Sequence, residues 1–442
     1  MATVTGGGNT FVLNEGSLDA NGSAQTLADV ISLALAAGTL VATNTPTANP
    51  SMGRNGLAVI SVSATVSLAP KVTSALINTA GASVTVIGGG GTGQTYLANT
   101  TTNLTLQTTG SGAILAGDGN NFVTVGVGSA GFSVRTGSGN DTVLALGGDN
   151  SVVTGVGGRT LLGLGAGQNT VSLNGNDTLF GNGSGGGTET VFGGAGTSVL
   201  FPGSSNLFFV GGAGAATIAG GSGSSTVFGG AGGGLVYGGT GSMFVVDGAG
   251  ATTVNGGQGS ATVFAGSGGD VIYGGAAGGN VLVSAGTGNA TLFGAAQGDL
   301  LYVTGSRSAT LVAGSGRETL DGSTSSANNV YFGSTSGASL LSGGVGSDTF
   351  TAGANSTIRG GGGSDLIAIQ NGMTSGTTQI LGFNTDARVT LFGFASGAVS
   401  DAIRTATTVQ VNGMSSSQLS FGNGITVQFV GVTDISQSKS FI

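Results

Sequence analysis

Residues 211–273 run as seven consecutive nine-residue units without a gap: GGAGAATIA, GGSGSSTVF, GGAGGGLVY, GGTGSMFVV, DGAGATTVN, GGQGSATVF and AGSGGDVIY. Positions two and four of every unit are Gly, and position eight is Ile218, Val227, Val236, Val245, Val254, Val263 and Ile272. A strict period of this kind leaves few folds open. Each unit cannot bury its own apolar side, so units must stack and share a core. The Gly half permits a sharp turn and positive φ at no Cβ cost. The other half predicts a three-residue strand, with position eight inward and positions seven and nine outward. Two nine-residue units then close one flattened coil of eighteen residues, and successive coils stack as parallel strands.

Glycine supplies 94 of 442 residues and proline 4, and the glycines are periodic, which argues for order. Charged residues are only 6% and the mean hydropathy is positive, so the disorder signature is absent. A net charge of −8 with 10 Lys plus Arg offers no basic patch, which speaks against nucleic acid. Neither Cys nor His is present, which removes thiolate chemistry and the commonest metal ligand and general base. Acid–base work would fall to scattered groups. Lys71 and Lys439 are the lysines, and Arg135, Arg159, Arg307, Arg317 and Arg359 are spread along the repeats. Arg317-Glu318, near Arg307, reads as a solvated surface pair. No catalysis is expected, and the GxGxxG-like strings are by-products of the repeat.

The organisation reads as four stretches. Residues 1–50 hold a strand at 10–13, a helix at 25–40 and a Pro-containing linker at 43–50. Residues 51–109 read as an irregular β cap region, and 110–370 as the solenoid, roughly 14 coils long. Residues 371–442 form a β-rich C-terminal region: strand-like 379–394, a helix or turn at 398–405, strands at 408–411 and 425–430, then a tail. The fold class is therefore all-β, a parallel β-solenoid (β-roll) with one short N-terminal helix. No N-terminal secretory signal is expected, because 1–17 lack a basic region followed by an apolar core. No membrane span is expected either, because the apolar run at 30–41 is short and interrupted.

The nine-residue unit resembles the RTX repeat GGxGxDxUx across about 110–370. The segments GFNTDARVTLFGF (382–394), GNGITVQFVGV (422–432) and SFI (440–442) are similar to the terminal domain of type I-secreted RTX proteins. Where that domain has Asp-Gly, this chain has Gly422-Asn423-Gly424. The resemblance implies an uncleaved C-terminal export signal, type I secretion machinery as a partner, and a place outside or on the surface of a Gram-negative cell. It also implies Ca²⁺ held between coils by position-six Asp carboxylates and turn carbonyls. In the regular block, position six is Ala216, Ser225, Gly234, Met243, Thr252, Ala261 and Asp270, which supplies one carboxylate. Asp348 and Asp365, 17 residues apart, are the candidate Ca²⁺ pair, and Asp141, Asp177, Asp270 and Asp299 are the isolated candidates. The bland alternative is that each Asp brackets its own turn through backbone hydrogen bonds.

Position nine carries Phe228, Tyr237, Phe264, Tyr273, Phe293 and Tyr302. Alternate units share a face, so Phe228 and Phe264 line one side and Tyr237 and Tyr273 the other. Outward aromatic patches imply contact. That contact is either with further copies of the chain, forming a filament, matrix or surface layer for adhesion or biofilm, or with the chain's own 25–40 helix. A secreted protein that binds or modifies cell-surface polysaccharide is the alternative function. Ice binding through a Thr ladder is disfavoured by Leu235, Phe244 and Val271 at position seven.

Overall fold

The computed structural model describes residues 2–6, 9–13, 23–43, 46–50, 54–79, 81–99, 101–275, 281–295, 298–372, 376–384, 386–395, 397–422 and 424–435. Among them the chain forms a parallel β-solenoid of about 18 coils, each of about 19 residues, with two short helices. Alternate strands belong to two different sheets. The chain divides into two compact units, the first holding 1–225 and 230–232, the second 226–229 and 233–442.

The regular block corrects the expected strand by one residue. Strands such as Gly234–Tyr237, Met243–Val246, Thr252–Asn255, Ala261–Phe264 and Asp270–Tyr273 run from position six to position nine. Position six therefore points inward beside position eight, giving the buried–partial–buried–exposed pattern of Thr252–Asn255 and Ala261–Phe264. The glycines are also explained differently. Gly221 and Gly266, both at position two, have no positive φ. A Cβ on Gly221 would lie 1.6 Å from the Gly203 carbonyl oxygen, and one on Gly266 1.7 Å from that of Gly248. Close approach of the neighbouring coil, more than φ, excludes a side chain there.

In the first unit the inward aliphatics stack in register. Val134, Val152, Val171 and Val191 pair in sequence on one sheet, 18, 19 and 20 residues apart. Val123, Val143, Leu162, Leu179, Leu200 and Ile218 do so on the other. Coil length varies mostly because extra residues go into turns, although the register shifts between Gly56 and Leu57 where Asn55–Ile60 meets Val72–Ile77. The ladder is already running before residue 110, with Asn55–Ile60, Val72–Ile77 and Gln94–Ala98 paired in parallel.

The N-terminal helix is Ser23–Ala36, ending four residues before the expected boundary. Gly38 adopts φ 70°, and the Gly38 and Thr39 N–H groups donate to the Leu35 and Ala34 carbonyls, which closes the helix as an αL cap. Ala24, Ala28, Ile31 and Leu35 join Val4 and the inward Leu40, Leu57, Leu76, Leu97 and Leu115 in one buried cluster. The helix thus lids the start of the core. The predicted strand at 10–13 is Asn9–Leu13, paired antiparallel with Ala2–Gly6.

In the second unit one inward column runs Val245, Val263, Val283, Leu301, Leu320, Leu341, Ile358 and Ile380. Gly376–Leu381 then pairs in parallel with Ile425–Val430, which carries antiparallel Met414–Ser420 and Thr407–Val411. The helix expected near 398 is Ala398–Arg404. Met414–Ser420 (MSSSQLS) has no strand composition. It forms because Asn412 and Gly413, at φ 51° and 80°, make a hairpin turn after Thr407–Val411. The segment SFI lies outside the described residues.

These contacts set a contrast between two neighbouring glycines. Gly266→Ala forces a coil apart and is expected to cost about 1–3 kcal/mol. A Cβ at Gly269 meets nothing within 4 Å, so Gly269→Ala is expected to be neutral or slightly stabilising. Thermal melts of the two variants check this; equal destabilisation contradicts the close-approach account.

Candidate functional site

Position six is where the inward polar chemistry collects. Asp141, Asp177, Asp270, Asp299, Asp348 and Asp365 are all buried, at 1–3% exposure. They bond in a repeated way. Asp348 Oδ1 accepts from the Asn329 backbone N–H of the preceding coil (2.7 Å), and Oδ2 from the Gly344 N–H of its own turn (3.0 Å). Asp270 does the same with Thr252 and Gly266, both at 3.0 Å. Asp177 takes the N–H groups of Thr160 (2.9 Å) and Gly175 (3.0 Å) and the Thr154 hydroxyl (2.7 Å). Asp141 Oδ1 takes the Asn121 N–H and Nδ2 (2.9 and 2.8 Å), and Asp299 Oδ2 the Ala295 N–H (2.7 Å). Asn substitutes freely: Asn150 reaches the Phe132 N–H and Asn329 the Ala309 N–H, each at 3.0 Å.

Position five runs the staple in the opposite direction. Asn103 Oδ1 accepts from the Asn120 N–H, and Asn120 Oδ1 from the Asn140 N–H, at 2.8 and 2.9 Å. Asn328 accepts from Ser347 in the same way (2.8 Å). One residue therefore grips the coil after it and the next grips the coil before it. Sequence reading missed this, although the pairs GNNF, GNDT, GDNS, GQNT, ANNV and GSDT carry the signal. It also misplaced Glu318, which is buried and accepts from the Gly314 N–H while Arg317 is exposed, so the two do not form a surface pair.

Asp348 and Asp365 do lie on consecutive coils, with Thr349 opposite Leu366. Their oxygens are engaged: both of Asp348 take N–H donors, and Asp365 Oδ1 accepts from the Asp348 N–H (3.0 Å). Only Asp365 Oδ2 lacks a partner. Ca²⁺ takes six to eight oxygens, and N–H groups present their positive ends to the lone pairs it needs. The donor set as arranged does not fit that ion. Among the described residues, no three or more His, Cys, Asp or Glu gather to hold a metal.

Burial raises these acids. Asp141, Asp270 and Asp348 are pushed up to about 6, and Glu189 and Glu318 to about 7, with Asp299 adding like-charge repulsion at Glu318. Asp177 and Asp365 are raised for the same reason.

The outer surface carries the aromatics. Phe228 and Phe264 lie on one sheet with Tyr302, and Tyr237 and Tyr273 on the other with Phe293. Phe228, Tyr237, Phe264 and Tyr273 are 36–47% exposed, while Phe293 and Tyr302 are half-buried. Tyr273 and Phe293 stack at 4.8 Å. Phe244, noted in the sequence only for breaking a Thr ladder, sits edge-on between Phe228 (6.5 Å) and Phe264 (5.9 Å). A second stack, Phe180 with Phe201 at 5.1 Å, stands on the first unit. Among the described residues no helix is long and apolar enough to cross a membrane.

Compared with known proteins, the chain matches no family model and no curated protein.

The raised acids fix the sign of the pH dependence. A carboxyl whose folded pKa lies above its unfolded value favours folding while protonated, and that advantage is lost as pH rises from about 4 to about 7. The Tm is expected to be roughly 5–10 °C higher at pH 4 than at pH 8. Glu189→Gln is expected to raise the Tm at pH 8 and leave it unchanged at pH 4; a melt that is flat with pH contradicts this. Asp348→Ala, which orphans two buried N–H groups, is expected to cost about 2–4 kcal/mol. Millimolar Ca²⁺ is expected to leave the wild-type Tm unchanged, whereas a site filled at a hundred times its Kd would add about 2.7 kcal/mol.

Proposed function

We propose that this protein is a non-catalytic structural protein that associates with copies of itself through the outer faces of its coils. The observation that carries the reading is an uncharged apolar stripe in the second unit. Phe228, Phe244, Phe264, Leu282 and Leu300 are each 36–38% exposed on strands of one sheet. The outward positions between them are Val246, Thr262 and Ser284, and Tyr302 closes the row, so these five strands present no outward charge. A stripe of this kind favours contact with another apolar surface. A net charge of −8 spread over the rest of the chain opposes unspecific clumping.

The same reading includes an RTX-like origin, export through the C-terminal region and a place outside or on the surface of the cell. It is supported by the repeat itself and by the segments 382–394 and 422–432. Position six then keeps the acid that the RTX pattern uses for metal, here directed to backbone N–H groups. A surface layer, matrix filament or adhesion structure fits such a building block. Polysaccharide binding is the second reading, favoured by a shallow groove of about 360 Å³ lined by Asn140, Thr142, Arg159, Leu161, Asn176 and Thr178.

Electron microscopy and light scattering of the purified chain test the reading, with Phe244→Lys plus Phe264→Lys as the probe. Ordered assemblies are expected from the wild type. The double variant is expected to lose lateral association while its Tm stays within about 2 °C, since both side chains sit at the surface. Monodisperse wild-type protein at high concentration would sink the proposal, and saturable glycan binding by that monomer would favour the second reading.

A further inference from the structure

The position-five staples are interrupted at one place in the first unit. Asn103, Asn120 and Asn140 follow one another there, and Asn176 resumes the pattern, its Oδ1 accepting from the Thr197 N–H (3.0 Å). Between Asn140 and Asn176 stands Arg159, opposite Asn140 in the ladder and two residues before the Leu161–Thr178 pair. A guanidinium has no acceptor, so it cannot grip the next coil. The Asn176 N–H goes to the Gly158 carbonyl instead (2.9 Å). Among the described residues the Arg159 guanidinium, the Asn140 side chain and Asn176 Nδ2 make no hydrogen bond or ion pair. Arg159 thus costs the ladder a staple and returns no polar contact within the chain.

These three residues line the groove of about 360 Å³ together with Thr142, Leu161 and Thr178. Asp141, the acid of the same lining, is buried and turned to Asn121, so Arg159 is the groove's one outward charge. The strand Arg159–Leu164 pairs on both sides, with Asn140–Ala145 and Asp177–Phe180. No backbone edge is therefore open here for an added peptide strand. A ligand must answer to side chains instead: two amides, two hydroxyls and one guanidinium. A polyhydroxylated molecule that also carries an acid meets all of them.

The same outer face continues into an aromatic platform. Gly163, outward like Leu161, pairs with Phe180, and Phe180 stacks on Phe201 at 5.1 Å. Both rings are exposed, and Gly163 sets no side chain beside them. An apolar ring face of this kind suits the C–H face of a sugar. Arg159 and Phe180 are offset by four residues along the strands, about 13 Å. That span matches successive residues of an oligosaccharide and exceeds a single sugar ring. A net charge of −8 gives no long-range attraction for a polyanion, which disfavours nucleic acid as the acidic ligand.

We infer that this groove holds an acidic oligosaccharide, with a uronate carboxylate on the Arg159 guanidinium and a neighbouring sugar ring against Phe180. The planar guanidinium matches a carboxylate with two parallel N–H donors. Asn140, Asn176, Thr142 and Thr178 then take the sugar hydroxyls. The assignment deepens the polysaccharide reading above and rests on it. It does not depend on self-association, whose stripe lies on the second unit. The contact is solvent-exposed, so it weakens as salt rises.

The test is biolayer interferometry on immobilised full-length protein, titrated with short oligosaccharides of galacturonate and of mannuronate. Their monosaccharides and carboxyl-reduced, neutral forms are the comparison ligands. Saturable binding of at least one acidic oligosaccharide is expected, with its monosaccharide and its neutral form about tenfold weaker or more. Arg159→Gln is expected to weaken binding about tenfold, and Phe180→Ser several-fold. Both side chains are exposed, so thermal melts are expected to match the wild type. Arg317 is the control: it lines another groove, where Gly298 and Ala338 stand in place of the flanking Asn residues. Arg317→Gln is expected to bind as the wild type does. Equal losses from Arg159→Gln and Arg317→Gln would overturn the site in favour of diffuse charge attraction. Unweakened binding by Arg159→Gln, or neutral forms bound as well as acidic ones, would overturn the carboxylate assignment and leave the polysaccharide reading standing. Failure of every oligosaccharide, acidic and neutral, would instead remove the reading on which the site rests.

Discussion

The separation between one coil and the next, about 4.8 Å in a parallel ladder, governs the rest of this structure. Wherever the turns stack, backbone lies against backbone at that distance. The Gly203 carbonyl stands where a Cβ on Gly221 would be, and the Gly248 carbonyl where one on Gly266 would be. Glycine at positions two and four is thus an excluded-volume requirement imposed by the neighbour. The same spacing brings inward side chains into van der Waals columns, so Val134, Val152, Val171 and Val191 make one continuous file. It also brings an Asn or Asp at the turn–strand junction within hydrogen-bond reach of the adjacent backbone. Sterics, apolar packing and polar stapling are three outcomes of one repeat distance.

The polar staples give the buried acids backbone partners. An ionised carboxylate inside a narrow core is costly unless several donors surround it. Asp348 and Asp270 each receive two backbone N–H groups, one from each of two coils. Where the sequence offers less, the carboxyl stays protonated further up the pH scale, and Glu189 is an example. In the regular block Asp270 is the lone acid at position six, with Ala, Ser, Thr, Met or Gly in the other units. There the backbone ladder and the aliphatic column hold coils together with little side-chain help. The chain thus mixes stapled coils with plain ones on a single architecture.

Much of the fold was legible because nine-residue periodicity is a strong signal, and Val or Ile at position eight announced the inward column. The stop at Gly38 and the hairpin at Asn412-Gly413 are local chemistry that sequence can carry, though the helix end was set four residues late and the hairpin was not noticed. What was not legible came from interactions between coils. Whether position six faces in or out depends on where the strand begins, and that is settled by the neighbour's hydrogen bonds. Asp348 and Asp365 were placed correctly on successive coils, but the N–H groups that meet them belong to backbone, which no residue code reveals. The strand Met414–Ser420 has a serine-rich composition, and besides the turn at Asn412-Gly413 it is held by Ile425–Val430 on its other side.

The near-constant distance along the chain between partners has a kinetic meaning. Up to Gly376–Leu381 each step of the ladder joins residues about 19 positions apart, so closing a new coil costs the same modest loop entropy whether it is the third or the fifteenth; only the last parallel pairing, with Ile425–Val430, spans 49. No contact waits for the far end of the chain to arrive. Once the Ser23–Ala36 helix has covered the first few leucines, each later coil finds a finished template. A chain emerging gradually, from either a ribosome or a narrow conduit, can therefore wind itself up as it appears.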